Sequence, residues 1–119
     1  MKLINNFLCG VQVASLAEGF TWIERSGLDQ DKAISILKSG APGSPLLGAI
    51  SERMIDHNYT VNFLLRLMTK DLKYAQSEAA DCKVDLKTAE VARSLFEAAI
   101  AKGFGEEDMA SVIEPLRAR

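Results

Sequence analysis

Apolar residues recur at steps of three and four along almost the whole chain, and this pattern restricts the fold more than any other feature. In the first segment Leu3, Ile4, Phe7, Leu8, Val11, Ala14, Leu16, Ala17, Phe20 and Ile23 keep that spacing, the period of a helix rather than of a strand. It predicts one long helix over residues 2–26. Apolar residues cover most of its circumference, so it is expected to lie buried among other helices. Gly27 suits the left-handed position that ends a helix at little cost.

Further helices follow from local signals. Asp29 is a good N-cap for a helix over 30–39. Gly40, Pro42, Gly43, Ser44 and Pro45 form a breaker cluster. Pro45 suits the first position of a third helix reaching about His57, and Asn58, Tyr59 and Thr60 read as a turn. A fourth helix carries Phe63, Leu64, Leu67, Met68, Leu72 and Ala75 and ends near Asp81. Asp85 can cap a fifth over 86–102, stopped by Gly103. A last helix over about 106–116 opens on Glu106, Glu107 and Asp108, acids that favour the positive end of the helix dipole. No run has a strand period with strand-like bounds. The expected fold is a single all-α domain, a bundle of about six helices with a long buried first helix.

Composition narrows the class. The chain has 119 residues, enough for one domain with one core, and hydrophobic and charged residues make up 48% and 25% of it. Net charge is −2 with acids and bases interspersed, which argues against nucleic acid as a partner. No apolar run reaches the length of a membrane span. Val11 to Phe20 is broken by Gln12 and Glu18 and is not read as a signal peptide. Cys9 and Cys82 are far apart, and the chain has one histidine, so a zinc site is not expected. Two buried free thiols in a reducing, cytoplasmic setting are expected instead.

Few residues stand out as carriers of chemistry. Lys2 and Asn6 are four apart, so their side chains share a helix face with Cβ atoms about 6 Å apart. A lysine held beside an amide could pass a proton to a substrate oxygen, although spacing alone favours a solvated lysine and a helix-start asparagine. Offsets of seven and eight residues put Phe63, Lys70 and Asp71 on one side of the fourth helix, which as a pattern also describes an ordinary polar face. Ala41-Pro42-Gly43-Ser44-Pro45 lacks the lysine and spacing of a phosphate loop. His57 reads as a surface residue at a helix end. Phe20 and Trp22 read as core. Ser15 and Ser94 have no histidine partner for a triad.

Taken together, several segments resemble the β-hydroxyacid dehydrogenases, the family that includes 3-hydroxyisobutyrate dehydrogenase. Lys2-Leu3-Ile4-Asn5-Asn6 resembles the family's K-x-x-N-N segment, Ala17-Glu18-Gly19 its A-E-A/G stretch, and Ser26-Gly27-Leu28-Asp29 its small-Gly-hydrophobic-Asp turn. The run Phe63 to Leu72 resembles F-x-x-x-L-x-x-K-D-L, and Lys102 to Asp108 resembles a late G-x-G-x-x-D turn. Each motif is weak alone, but together they span the chain in the family's order.

The resemblance implies the helical C-terminal domain of such an enzyme, similar to that of 6-phosphogluconate dehydrogenase. It implies Lys2 as general acid/base, Asn6 as a substrate hydrogen-bonding group, and Phe63 lining the pocket. Lys70 would face the cofactor, NAD or NADP, and Asp71 would support the site. It also implies a small β-hydroxy acid as substrate and a homo-oligomer. The family's dinucleotide-binding Rossmann domain, with its G-x-G-x-x-G/A turn and its Ser-Gly-Gly stretch, has no counterpart in these residues. The chain is therefore expected to be a piece of a two-domain enzyme, or a split gene product with the Rossmann domain as partner, and inactive alone. The alternative is a stand-alone helical dimerisation or interaction module derived from that family.

Overall fold

The computed structural model describes residues 1–118 and is all-helical. Its elements are α1 (Lys2–Ser26), α2 (Gln30–Ser39), α3 (Pro45–Asp56), α4 (Leu65–Asp81), α5 (Lys87–Ala101), a 3-10 turn (Met109–Ile113) and a short α6 (Glu114–Arg117). No strand occurs among the described residues, and none of their helices is long and apolar enough to cross a membrane.

The first three helices end where local chemistry ends them. Gly27 closes α1 at φ 82°, a conformation glycine adopts without a Cβ penalty. The Asp29 carboxylate accepts from the Lys32 amide at 3.0 Å, and the Ser44 hydroxyl accepts from the Leu47 amide at 3.0 Å. Both satisfy amides that the first helical turn leaves unpaired. Pro45 occupies the first turn of α3, and His57 ends that helix at φ 50°.

α4 begins differently. Its cap position, Leu64, makes no side-chain capping bond. Instead the Leu65 amide donates to the Glu107 carbonyl at 2.9 Å and the Arg66 amide to the Gly105 carbonyl at 3.1 Å. Distant backbone therefore does the work of a cap. Phe63 and Leu64 precede α4, contrary to the expectation that the fourth helix contains them. Leu64 forms an isolated antiparallel bridge with Asp108, and a backbone paired there cannot also wind into the helix.

Other expectations also change. Asp85 does not cap α5; Leu86 holds the cap position without a side-chain bond. The single helix expected over 106–116 is a 3-10 turn followed by α6, and it starts later, because the Asp108 side chain accepts from the Ala110 amide as an N-cap. Trp22 is exposed although read as core, and Cys82 is exposed while Cys9 is only half-buried.

The core gathers around the inward face of α1. Val13, Ala17 and Phe20 pack with Leu47, Ile50, Leu65, Leu72, Phe96 and Ile113. α1 and α4 run antiparallel and very close at Gly10, where a Cβ would stand 2.7 Å from Met68 Sδ and 3.2 Å from Leu72 Cδ2. Only the absence of a side chain allows this approach. The outward face of α1 is not covered: Ile4, Leu8 and Trp22 are exposed. The expected burial of the helix on all sides holds for one side only.

Candidate functional site

The antiparallel register of α1 and α4 brings Asn6 opposite Asp71. Asn6 is buried, and its Nδ2 donates to Asp71 Oδ2 at 2.8 Å. An ionised carboxylate can only accept, so it fixes which end of the Asn6 amide faces it. The other end, Oδ1, accepts from Asn5 Nδ2 at 3.4 Å.

Lys2 lies one turn before Asn6, exposed in the first turn of α1. It lines a largely apolar groove of about 550 Å³ together with Phe7, Ala75, Glu78, Cys82 and Leu86. Lys2 is the basic side chain of that groove and Glu78 the acidic one. Glu78 was missed in the sequence, yet it sits seven residues after Asp71, a spacing that keeps both on one face of α4. A cation beside an apolar groove can stabilise a developing alkoxide and move a proton to or from it.

The remaining expected residues lie further out. Lys70 is exposed, and its Nζ stands 5.8 Å from the centre of the Tyr74 ring, a cation–π distance. Phe63 is partly buried on the segment before α4. Because α4 begins only at Leu65, helix spacing does not put Phe63 on one face with Asp71 as expected.

What holds Phe63 is Asp108, expected only as a helix-start acid and as the last residue of the late G-x-G-x-x-D turn, with no role at Phe63. Asp108 is fully buried. Its Oδ1 accepts from the Asn62 and Phe63 amides at 2.9 and 3.0 Å, and its Oδ2 from the Ala110 amide at 3.0 Å. Arg53 Nη1 adds a 3.3 Å ion pair. Backbone bonds from the Asp108 amide to the Tyr59 carbonyl and from the Met109 amide to the Phe63 carbonyl complete the tie. A buried carboxylate needs such partners to stay charged.

A second polar cluster lies at the far end of α1. Arg117 donates to Glu24 at 2.7 Å, to Glu114 at 2.8 Å and to the Met54 carbonyl at 2.7 Å. Tyr59 donates its hydroxyl to Glu114, and His57 Nδ1 stands 3.0 Å from that carboxylate. Burial and the Glu114 carboxylate push the Tyr59 hydroxyl well above the ordinary tyrosine range. Burial opposes ionisation of Glu114, but bonds from Tyr59 and Arg117 outweigh it and hold the carboxyl below its ordinary value.

A family model described as NAD-binding of NADP-dependent 3-hydroxyisobutyrate dehydrogenase matches residues 1–116. The chain belongs to this family. It is 31% identical over 118 residues to glyoxylate/succinic semialdehyde reductase 2, chloroplastic, of Arabidopsis thaliana, a match covering 99% of the chain and 33% of that protein. It is 30% identical over 123 residues to the mitochondrial 3-hydroxyisobutyrate dehydrogenase of Rattus norvegicus, covering 98% of the chain and 37% of the relative. The crystal structure of 3-hydroxyisobutyrate dehydrogenase from Salmonella typhimurium superposes with a TM-score of 0.89 at 27% identity, over 96% of this chain and 40% of that one. The chain thus spans between a third and two fifths of the length of these relatives.

The family is one of NAD(P)-dependent hydroxyacid dehydrogenases. The described residues include no strand and no glycine-rich strand-to-helix turn, which are the parts that cradle a dinucleotide pyrophosphate. Lys70, next to Asp71 in α4, is an exposed cation.

Proposed function

We propose that this chain is the helical substrate-side domain of an NAD(P)-dependent dehydrogenase acting on a small β-hydroxy acid of the 3-hydroxyisobutyrate type. The Asn6–Asp71 hydrogen bond carries the reading. It joins the two motif-bearing helices and fixes an amide one turn from Lys2, the lysine that lines the apolar groove.

In this reading Lys2 is the general acid/base. In the oxidising direction its neutral amine takes the proton of the substrate hydroxyl, and in the reducing direction the ammonium returns it. Asn6 hydrogen-bonds the substrate while Asp71 orients the amide. Phe63 lines the apolar side of the substrate site, and Lys70 faces the cofactor. NAD or NADP, held mainly by a dinucleotide-binding domain in the same protein or on a partner chain, supplies the hydride acceptor or donor. The chain alone is inactive in this scheme, because most of the cofactor site lies elsewhere.

The test is Lys2→Ala in the complete two-domain protein. General acid–base catalysis contributes about 10²–10⁴-fold, so turnover is expected to fall by at least about 10²-fold with an unchanged helical circular-dichroism spectrum. Near-normal turnover in that variant would show the assigned role to be wrong.

A further inference from the structure

We propose that Asp108 is a positioning residue for the substrate side of the site: its buried carboxylate fixes the direction of Phe63, and through Phe63 it sets how tightly the substrate is held. This deepens the function proposed above and rests on it, since it takes Phe63 to line the substrate site.

No regular element places Phe63. It lies between α3 and α4, after three exposed residues, Thr60, Val61 and Asn62. Burial of apolar surface therefore gives this stretch little hold on the rest of the domain. Polar bonds supply the hold, and they come from residues 105–109. The Leu65 and Arg66 amides end on the Glu107 and Gly105 carbonyls, and the Met109 amide donates to the Phe63 carbonyl at 2.8 Å.

Asp108 binds the stretch at both ends. Its own amide donates to the Tyr59 carbonyl at 3.1 Å. Its Oδ1 accepts from the Asn62 and Phe63 amides at 2.9 and 3.0 Å. The peptide plane before the Phe63 Cα is thus held by Asp108, and the plane after it by Met109. Backbone freedom resides in the rotation of those two planes, so holding both fixes where the Phe63 side chain points. Bonds to an ionised carboxylate are roughly twice as strong as neutral ones. Asp108 is fully buried, and Arg53 at 3.3 Å balances its charge.

This clamp stands beside the site. Cys9 follows Asn6 by three residues, the spacing of neighbours on a helix surface. Burial raises the Cys9 thiol, Arg53 lowers it and Asp108 raises it. Charges act over about 10 Å, so the Asp108–Arg53 pair is within reach of the α1 surface next to Asn6.

Kinetics of the complete two-domain protein on 3-hydroxyisobutyrate separate positioning from stability. A wall that holds substrate and transition state alike affects KM and leaves kcat unchanged. Asp108→Ala is expected to raise KM about 10-fold, the size of one apolar pocket contact, and to quicken hydrogen exchange over residues 59–66. Asp108→Asn keeps an acceptor for the Asn62 and Phe63 amides but turns a donor toward the Ala110 amide and Arg53. It should raise KM less, about 3-fold, as for one weakened hydrogen bond, and it carries the test where Asp108→Ala does not fold. In a Phe63→Ala background neither change should raise KM further, because the side chain being placed is gone. Ile34→Ala, which opens a cavity in the core at α2, should lower the melting temperature and leave KM as it was. An unchanged KM in Asp108→Asn overturns the proposal. So does a rise that persists in full in the Phe63→Ala background, or an equal rise in Ile34→Ala. Loss of turnover in Lys2→Ala is read separately: where it is seen and KM ignores Asp108, the function stands and this inference alone falls.

Discussion

Asn6 and Asp71 stand 65 residues apart in the sequence and 2.8 Å apart in space, the side-chain amide of one donating to the carboxylate of the other. The bond ties the first turns of α1 to the middle of α4 beside the candidate site. Removing Asp71 strands a buried amide, and such a group costs about 1–3 kcal/mol. Asp71→Ala is therefore expected to lose about that much stability in urea unfolding. Asp71→Asn, which keeps an acceptor oxygen, should lose less. Equal losses from the two variants would show that the hydrogen bond does not set the cost.

Asp108 organises the segment before α4, and it should be the most sensitive polar position in the chain. Asp108→Ala leaves the Asn62, Phe63 and Ala110 amides and the Arg53 guanidinium without their acceptor. Breaking a buried pair from one side costs about 3–5 kcal/mol. Arg53→Met removes one charged partner, itself partly exposed, and leaves the three backbone donors on the carboxylate, so it should cost less, about 1.5–3 kcal/mol. Thermal melts of the two variants check the order, and a reversed ranking would contradict this account of Asp108.

Gly10 is a steric requirement of the α1–α4 packing. Gly10→Ala places a methyl 2.7 Å from Met68 Sδ, and overpacking of this kind costs about 1–3 kcal/mol. The clash is with the end of a flexible side chain, so Met68→Ala should relieve part of it. In a double-mutant cycle the pair is expected to be less destabilised than the sum of its singles. Simple additivity would mean that Met68 is not the neighbour that matters.

Stability should fall at both ends of the pH scale through one hydrogen bond. Glu114 is held below its ordinary value of 4.5 in the folded chain. Its contribution is fully present above that value and is lost as pH falls through the lower folded pKa, because the unfolded chain binds the proton first. Tyr59 is held above its ordinary value of 10.0. Its contribution is present below that value and is lost as pH rises beyond it. Glu114→Gln should flatten the acid limb of a stability–pH profile, and Tyr59→Phe the alkaline limb. An unchanged acid limb in Glu114→Gln would remove Glu114 from the explanation.

Much of the secondary structure was legible because its causes are local. The apolar period over residues 2–26, Gly27 at the end of α1, Asp29 before α2, and Ser44 with Pro45 before α3 each act within a turn or two, and the structure uses them as expected. That Lys2 and Asn6 share α1 was legible for the same reason, while their roles are implied by the family resemblance alone. Glu78 could have been found by the same logic, since it repeats the face of Asp71 seven residues on.

Tertiary structure alone decided the rest. Leu65 and Arg66 take their capping bonds from carbonyls some forty residues away, so no local signal separates Phe63 and Leu64 from the helix that follows. In sequence Asp108 is a helix-start acid and the end of a turn motif, and its bonds from the Asn62 and Phe63 amides and its Arg53 ion pair exist only once those residues have been brought to it. Periodicity showed that α1 is apolar on most sides. It could not show which sides this chain covers, because burial depends on how many neighbouring helices there are and where they pack. The inward face found α3, α4 and α5, and the face of Ile4, Leu8 and Trp22 was left in solvent.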